Sequence, residues 1–341
     1  MKITQLNIYP IKSLRPISLT TATLCPQGLT RDRRYILLKS SPNGTYKNMF
    51  VGHQPEMALF HCSLCTSTTF RVSYHTPTPP ITPPSPIQNT TIEIPYEPDV
   101  TPLKKLTISL HTHPSYPAYH MPDEYNSWFS HCFGYEVKLA YIGSSLGIPK
   151  DDNTAQSWKT TISPSLPSPR LAENITFSDA AALLIVSEAS LEALHPLLGD
   201  EKVILEKFRP NIVVSSPSLL AWDEDYWSFL LLPQSQSQSQ SQRKEIKIIL
   251  TSNCSRCTSI NVSLADGRMG TGPSGSLLKK MMKDRRVDKG SKWEPIFGRY
   301  GFPVTGGEVR VGDEILVGER SEGRAVWNGI MPRLSCFETE N

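Results

Sequence analysis

Long apolar runs are missing from this sequence. No stretch of eighteen consecutive apolar residues occurs, so the sequence predicts no membrane-spanning helix. The N-terminus also lacks the apolar core of a secretory signal peptide. Ile3, Leu6 and Ile8 instead predict a short β-strand in this segment.

Cysteine is sparse, and its distribution excludes a disulfide framework. The cysteines are odd in number and scattered, at positions 25, 62, 65, 132, 254, 257 and 336. This usage is typical of a protein kept in a reducing compartment. We therefore expect a cytoplasmic location, with a mitochondrial association left open.

A strong charge of one sign is absent as well. The net charge is +3, with 20% charged residues, which argues against a dedicated nucleic-acid binder. The sequence also lacks a Gly-x-Gly-x-x-Gly fingerprint after a strand and a Walker lysine loop. The densest basic run, from Lys279 to Lys289, predicts a solvated helix face that borders an anionic site.

Proline and low-complexity tracts divide the chain. With 341 residues, two domains are expected: 1–142, then a polar linker at 143–172, then 173–330. The proline-rich stretch at 76–102 predicts a surface insertion without helix or sheet ladder. The Ser-Gln tract at 234–242 has no apolar residue and predicts a loop without a core.

The remaining pattern predicts mostly strands with a few helices. A helix is predicted from Asp123 to Phe133, stopped by Gly134, and a second one from Glu188 to Leu198, capped by Ser187. A third helical stretch is expected at 276–283. Strands are predicted at 34–38, 183–186, 211–214, 246–250 and 258–262, and a strand–turn–strand at 308–317. The predicted fold class is mainly β with α, as one or two β-barrels with peripheral helices.

The segment Cys254-Ser255-Arg256-Cys257 follows the predicted strand at 246–250. With Cys62 and Cys65 it could form a four-thiolate zinc site, although the two pairs stand far apart in sequence. A thioredoxin-like redox pair would open a helix, which the following β-branched residues do not favour. One cysteine ligating a transition metal, or two small buried residues on a hairpin, are the other interpretations.

Cations and amide donors stand at several predicted strand ends. Lys12 and Ser13 follow the first strand, Arg33 precedes the next, and Arg209 and Asn211 flank a proline at the start of another. Taken singly, each is typical of a solvated loop. Together they suit a phosphorylated polar cofactor, because Arg grips phosphate oxygens with two parallel hydrogen bonds.

The ordered set of short motifs resembles the molybdenum-cofactor sulfurase C-terminal (MOSC) family, over nearly the whole chain. Tyr9-Pro10-Ile11-Lys12-Ser13 and Gly28-Leu29 with Arg31-Asp32-Arg33 resemble its N-terminal β-barrel domain. Motifs resembling the MOSC domain itself are Ser187-Glu188-Ala189-Ser190-Leu191, Phe208-Arg209-Pro210-Asn211, Glu224-Asp225-Tyr226-Trp227, Cys254-Ser255-Arg256-Cys257, Phe297-Gly298-Arg299-Tyr300 and Val311-Gly312-Asp313. Within the family, the motif set resembles the amidoxime-reducing members.

The resemblance implies a molybdenum cofactor, a pterin whose dithiolene and phosphate both need protein partners. It implies that Cys257 is the protein ligand of the metal and that Cys254 is a neighbour. Lys12, Ser13 and Arg33 match positions that hold the pterin and its phosphate, and the positions around the same cofactor are Arg209, Asn211, Ser255 and Arg256. Relatives often carry Ser or Thr where this chain has Ala180–Ala182, which puts some cofactor hydrogen bonds in doubt.

By resemblance, the implied activity is reduction of N-oxygenated small molecules by oxygen-atom transfer. No ferredoxin-like cysteine cluster is present, so electrons must come from another protein, such as a b-type cytochrome with its reductase. Two alternatives stay open. One is a non-catalytic carrier of molybdenum cofactor or sulfur, and the other is a zinc-stabilised binding module that uses both cysteine pairs.

Overall fold

The architecture comes from a computed structural model, which describes residues 1–108, 110, 116–143, 176–233 and 245–327. The predicted linker at 143–172 lies outside these residues except for Gly143, and the predicted Ser-Gln loop at 234–242 lies wholly outside them. Within the described residues, every helix is too short or too polar to span a lipid bilayer.

Short strands account for most of the regular structure. In chain order they are β1 (Lys2–Ile8), β2 (Ile17–Leu19), β3 (Thr21–Cys25), β4 (Gly28–Leu29), β5 (Tyr35–Ser40), β6 (Tyr46–Asn48), β7 (Phe60–Leu64), β8 (Thr69–Tyr74), β9 (Thr91–Pro95), β10 (Lys105–Ile108), β11 (Tyr116–His120), β12 (Val137–Tyr141), β13 (Leu183–Ser187), β14 (Ile212–Ser215), β15 (Trp227–Pro233), β16 (Glu245–Ser255), β17 (Val262–Ser263), β18 (Arg268–Met269), β19 (Ile296–Pro303), β20 (Gly307–Arg310) and β21 (Leu316–Arg320).

The helices are few and short. The α-helices are α1 (Asp123–Phe133), α2 (Glu188–Glu192), α3 (Gly272–Gly275) and α4 (Leu277–Met281). The 3-10 turns are Pro55–Leu59, Pro86–Asn89, His195–Leu197, Leu205–Phe208, Asp223–Tyr226 and Thr258–Asn261. The chain is mainly β with several sheets, one of them curled into a half-barrel, which confirms the predicted fold class.

The largest sheet joins strands from both ends of the chain. Its order is β2-β1-β14-β13-β19-β16-β15-β21, with β1 antiparallel to β14 and β13 parallel to β14. Its central strands β13 and β19 are buried along their whole length, because both faces of the sheet are covered. The predicted domain boundaries stay a prediction, but this sheet contains strands from both sides of them.

Smaller sheets complete the described fold. A five-stranded sheet has the order β10-β11-β12-β5-β6, and three-stranded sheets are formed by β7-β8-β9 and by β20-β3-β4. Helix α1 packs on β12 and buries Trp128, Phe129, Cys132 and Phe133. It ends at Gly134, which adopts the left-handed conformation at φ 76°, so the predicted helix and its stop are confirmed.

The predicted insertion at 76–102 is more regular than its proline content indicated. Strand β9 pairs with β8 and buries Ile94, and a 3-10 turn precedes it. The prediction of no sheet ladder was therefore wrong. The reason is that β9 is an edge strand whose only proline, Pro95, is its last residue, where a missing N–H costs no inner hydrogen bond.

One other local prediction was wrong. Residues 258–262, predicted as a strand, begin with the 3-10 turn Thr258–Asn261. The strand–turn–strand predicted near 308–317 is confirmed by β20 and β21, which pair with distant strands: β20 with β3 and β21 with β15. Distant chain segments, and not local propensity, set these pairings.

Candidate functional site

The two thiols of the Cys-x-x-Cys segment lie in opposite environments. Strand β16 carries Cys254, which is only 1% exposed, whereas Cys257 follows the strand and is exposed. The Cys257 Sγ lies 3.2 Å from the Ser259 Oγ, at the start of the 3-10 turn. The two thiols therefore cannot do equivalent work, and Cys257 is the one that an external ligand can reach.

Cys254 is held by the neighbouring arginine. Arg256 donates from Nη1 to the Cys254 Sγ at 2.8 Å and from Nη2 to the Phe208 carbonyl at 2.8 Å. Burial raises the pKa of the Cys254 thiol, and the guanidinium partly offsets this. Arg256 Nε is buried and has no hydrogen-bond partner among the described residues. These contacts hold the side chain of Arg256, the residue directly before Cys257.

Lys12 is buried at the end of the first strand. Its Nζ donates to the Phe177 carbonyl at 2.7 Å and to the Asp179 Oδ1 at 2.5 Å. Burial lowers the pKa of Lys12, Asp179 counteracts this, and Arg33 and Arg209 lower it further. The electrostatic effect of these two guanidinium groups shows that three of the predicted cations lie close together.

Arg33 and Arg209 both stack on one aromatic ring. Their guanidinium carbons lie 4.8 and 4.2 Å from the centre of the Tyr9 ring. The Asp32 carboxylate accepts the backbone N–H of Tyr9 at 2.7 Å and also pairs with the Arg33 Nη1. Cation–π and charge pairing together hold two like charges side by side.

Arg209 keeps part of its hydrogen-bonding capacity unused. Its Nη1 donates to the Leu14 carbonyl at 2.7 Å, but its buried Nη2 has no partner among the residues that the structure describes. Burial lowers the pKa of Arg209 to about 10, and Tyr9 counteracts this. A half-buried guanidinium whose buried donor is vacant is a position at which an anion is stabilised.

Asn211 connects the cations to the backbone of the large sheet. Its Oδ1 accepts the Leu184 N–H at 3.1 Å and the Arg33 Nη1 at 3.2 Å. Its Nδ2 donates to the Asn7 carbonyl at 3.2 Å. These bonds use most of the amide, so Asn211 orients Arg33 and joins β13 to the strand that carries Asn7.

The backbone is strained at three of the predicted residues. Ser13, Arg33 and Arg209 have φ values of 70°, 50° and 58°, in the left-handed region. In the described chain only two other non-glycine residues, Arg31 and Trp222, have positive φ. Such conformations cost about 1–3 kcal/mol each and cluster at functional sites.

Ser255 extends the site towards the loop before β19. Its Oγ lies 2.7 Å from the Ser291 Oγ, which donates in turn to the Glu294 Oε2 at 2.9 Å. These contacts involve none of the other predicted site residues. Ser255 therefore lies two residues before Cys257, but its side chain belongs to a separate hydrogen-bond network with Ser291 and Glu294.

One carboxylate links the two parts of the site. Asp179 acts electrostatically on Lys12 and Arg209, and also on Cys254 and Tyr300. A direct contact also joins the two parts, since Arg256, directly after β16, donates to the carbonyl of Phe208, the residue before Arg209. A cavity of about 970 Å³, lined by residues that include Arg31, lies elsewhere and has none of the predicted site residues in its lining.

Sequence reasoning missed the groups that hold the cations. Tyr9 and Asp32 anchor Arg33, and Asp179 anchors Lys12. An acid inside the basic run at 31–34 is a signal that could have identified Asp32. The role of Asp179 depends on a contact across 167 residues, for which the sequence carries no local signal.

The alanines at 180–182 are buried against the glycine turn of the barrel. Gly28 adopts φ 104°, and a Cβ added to it would lie 2.3 Å from the Ala182 carbonyl oxygen. Two hydroxyls remain in this loop, on Thr176 and Ser178, 3.0 Å apart. The loop therefore carries alanines, without hydroxyls, at 180–182, where it packs closely on Gly28.

The described residues contain no group of three or more His, Cys, Asp or Glu side chains able to hold a metal ion. Of the other cysteine pair, Cys62 is buried, and the burial raises its pKa to about 12. Cys65 accepts a hydrogen bond from Arg71 at 3.3 Å. A metal ion bound by Cys257 would therefore need further ligands from a cofactor.

Two family models match the chain. The MOSC N-terminal beta barrel domain matches residues 1–136, and the MOSC domain matches residues 157–316. Both matches confirm the resemblance seen in the sequence motifs.

Curated relatives match a shorter part. Mitochondrial amidoxime-reducing component 1 of Homo sapiens is 34% identical over 149 residues, which is 43% of this chain and 40% of that protein. The Mus musculus protein of the same name is 31% identical over 152 residues, with coverage of 43% and 40%. Mitochondrial amidoxime reducing component 2 of Rattus norvegicus is 32% identical over 142 residues, with coverage of 41% and 38%. The matches thus span about two fifths of each relative's length.

The two family matches lie in sequence order and agree with a mainly β fold in which strand-end residues from both parts converge. The chain is a MOSC domain protein with a MOSC N-terminal β-barrel domain, distantly similar to the mitochondrial amidoxime-reducing components.

Proposed function

We propose that this protein is a molybdenum-cofactor-dependent oxidoreductase that reduces N-oxygenated small molecules. The observation that carries the proposal is an exposed thiol, Cys257, that follows Arg256, whose guanidinium reaches the Phe208 carbonyl directly before Arg209 of the cation cluster. The names of the relatives support the amidoxime class of substrate. Hydroxylamines and N-hydroxylated bases share the same N–O bond.

The described residues fit such a cofactor. One protein thiolate suffices for the metal when a dithiolene supplies further sulfur ligands. Two buried donors, Arg209 Nη2 and Arg256 Nε, have no partner within the described part of the chain. A buried donor left unpaired costs about 1–3 kcal/mol, so both are suited to acceptor atoms of a phosphate or pterin.

Each residue then has a distinct task. Cys257 binds the metal, and Lys12, Arg33 and Arg209 hold the phosphate and pterin by charge and hydrogen bonding. Asn211 orients Arg33, Ser13 shapes the backbone beside Lys12, Arg256 offers its Nε to the cofactor, and Ser255 supports the segment before Cys257. Asp179 limits the repulsion within the cation cluster.

The bound cofactor would supply two-electron chemistry at the substrate N–O bond. Removal of oxygen from an N-hydroxy group consumes two electrons and two protons, breaks the N–O bond and releases water. A separate protein, such as a b-type cytochrome with its reductase, would deliver the electrons in two single transfers. The residues of this chain would bind and orient the cofactor.

The test is purification from a host that makes the cofactor, followed by molybdenum and pterin analysis and a reduction assay. We expect near one molybdenum per chain and reduction of benzamidoxime with dithionite-reduced methyl viologen. Loaded protein that cannot reduce benzamidoxime would favour the carrier alternative. Zinc in place of molybdenum would favour the binding module.

The variant Cys257→Ser tests the metal ligand. We expect molybdenum content to fall at least about tenfold, because a hydroxyl replaces the thiolate. The fold should be retained, since the side chain is exposed. Cys65→Ser is the matched control and should keep its molybdenum. Full molybdenum in Cys257→Ser would disprove the assignment.

A further inference from the structure

A basic surface lies beside the candidate site. We define the basic patch as the exposed residues Lys279, Lys283, Arg286, Lys289, Lys292 and Trp293. Trp293 is 63% exposed, although a large aromatic side chain is usually covered. One exposed acid, Asp284, lies within the same segment.

The cations of this patch differ from other surface arginines. Arg71, Arg310 and Arg320 each pair with a carboxylate at 2.9 Å or less. Among the described residues, none of the five patch cations has an ion pair within 4 Å; the Arg286 Nε donates to the backbone carbonyl of Trp293. The patch therefore projects a net positive charge around an exposed indole.

The segment that carries the patch is bonded to the strand that leads to Cys257. Asn253 donates from Nδ2 to the Asp288 Oδ2 at 2.9 Å, and the Ser255 and Ser291 hydroxyls lie 2.7 Å apart. The backbone N–H of Arg256 donates to the carbonyl of Pro295 at 2.9 Å. A protein bound on the patch would thus sit against the support of the proposed metal ligand.

We propose that the basic patch is the docking surface for an acidic electron-donor protein. The inference rests on the proposed function, because only a reductase needs such a donor at this place. Redox partners form small, short-lived interfaces in which opposite charges steer the encounter. Trp293 would supply the apolar anchor that such an interface needs at its centre. The patch segment is hydrogen-bonded to residues 253, 255 and 256, directly before the proposed metal ligand. This link to the proposed redox site favours a redox partner over a lipid surface.

The test compares two triple charge reversals in the full chain from a cofactor-competent host. Lys283→Glu/Lys289→Glu/Lys292→Glu changes the patch. Lys47→Glu/Lys104→Glu/Lys105→Glu is the control, at exposed positions at or beside the edge strands β6 and β10. Binding to the soluble haem domain of an acidic b-type cytochrome is measured by titration at two salt concentrations. Sedimentation with vesicles containing phosphatidylserine is measured in parallel.

We expect the patch variant to bind the haem domain at least about tenfold more weakly than the wild type, with a reduced salt dependence. Trp293→Ala should also weaken binding, and the control should bind normally. Molybdenum content and benzamidoxime reduction with reduced methyl viologen should be unchanged in all three. Failure of those two readouts in the wild type would count against the proposed function, whereas binding still reports on the docking surface.

Three results would overturn the inference. They are wild-type protein that does not bind the haem domain, equal weakening in the patch and control variants, and patch-dependent vesicle binding without any patch effect on the haem domain.

Discussion

At the scale of single residues, Arg209 shows how the site differs from an ordinary surface. Its guanidinium stacks on Tyr9, its buried Nη2 has no partner among the described residues, and it is carried on left-handed backbone. The unpaired donor and the left-handed backbone each cost stability, and neither is required by the sheets alone. Their coincidence at one residue is the physical signature of a position kept for a ligand.

The sequence could identify most candidate residues but not their environments. Charge type and position at a strand end mark Lys12, Arg33 and Arg209 without a structure. The exposed or buried state of Cys257 and Cys254 could not be predicted, because it depends on where β16 ends. The contact between Arg256 and Phe208 joins segments 48 residues apart and leaves no periodic trace.

Glu224 predicts an unusual pH dependence of stability. It is 0% exposed, and its Oε2 accepts hydrogen bonds from Ser187 and Ser190, both at 2.9 Å. Burial raises its pKa from 4.5 to about 7. The fold thus prefers the protonated acid, and its stabilising contribution, present below pH 4.5, is lost as the pH rises to about 7.

Between these pH values, unfolding free energy of the wild type should fall by about 1 kcal/mol per pH unit from this group. The Glu224→Gln variant should lack that component, so its stability relative to wild type should rise across the window. Urea denaturation at several pH values measures this. Glu93→Gln, at an exposed carboxyl whose pKa is lowered by Arg71, is the control and should run parallel to wild type. A constant difference for Glu224→Gln would contradict the prediction.

Cys254→Ala should cost more stability than its size indicates. The change removes the acceptor of the Arg256 Nη1 and leaves a buried guanidinium less satisfied. Cys132→Ala is the matched control, because that thiol is equally buried and has no side-chain hydrogen bond among the described residues. We expect Cys254→Ala to lose about 1–3 kcal/mol more unfolding free energy than the control. Equal losses would show that the sulfur contact contributes nothing.

At the scale of elements, predictability followed the strength of the local signal. Helix α1 was predicted to the residue, because an amphipathic pattern ends at a glycine suited to the left-handed cap. The helix predicted from Glu188 was capped by Ser187 as expected but ends at Glu192. Strand β9 was missed because a count of prolines ignores which of them fall at an edge.

The turn at Gly28 gives a test at this scale. A Cβ there would lie 2.3 Å from the backbone oxygen of Ala182, and φ is also positive. Gly44, with φ 76° and no atom within 4 Å of an added Cβ, isolates the conformational cost alone. We expect Gly44→Ala to cost about 1 kcal/mol and Gly28→Ala at least about 3 kcal/mol, measured by urea unfolding. Equal losses of unfolding free energy in the two variants would mean that the loop at 180–182 can move away from an added Cβ at no cost, and would contradict the prediction.

At the scale of the whole molecule, the large sheet makes the two halves interdependent. Strand β1 lies between β2 and β14, so separating the halves would leave β14 with an open edge and remove a neighbour from β1. Motif order could predict two β-rich parts, but the pairing of β1 with β14 depends on partners too distant for periodicity to show.

Expression of residues 1–142 and 173–341 as separate chains tests this interdependence. We expect each fragment alone to show no cooperative thermal transition by circular dichroism, and co-expression to restore a soluble complex. Intact protein cut by protease between the halves is the control and should remain associated. A cooperative transition of either fragment alone, at the wild-type temperature, would contradict the expectation.

The pairing of β1 with β14 also delays completion of the site during synthesis of the chain. The Thr4 hydroxyl meets the Val213 carbonyl across 209 residues of sequence, and a ribosome adds about 5–20 residues per second. Roughly 10–40 s therefore separate the synthesis of the two strands. During that interval β2 is the only one of the two sheet neighbours of β1 that has been synthesised, and Lys12 is present without Arg209. A ligand that needs both cations can bind only after this delay, so the site matures late in the life of the nascent chain.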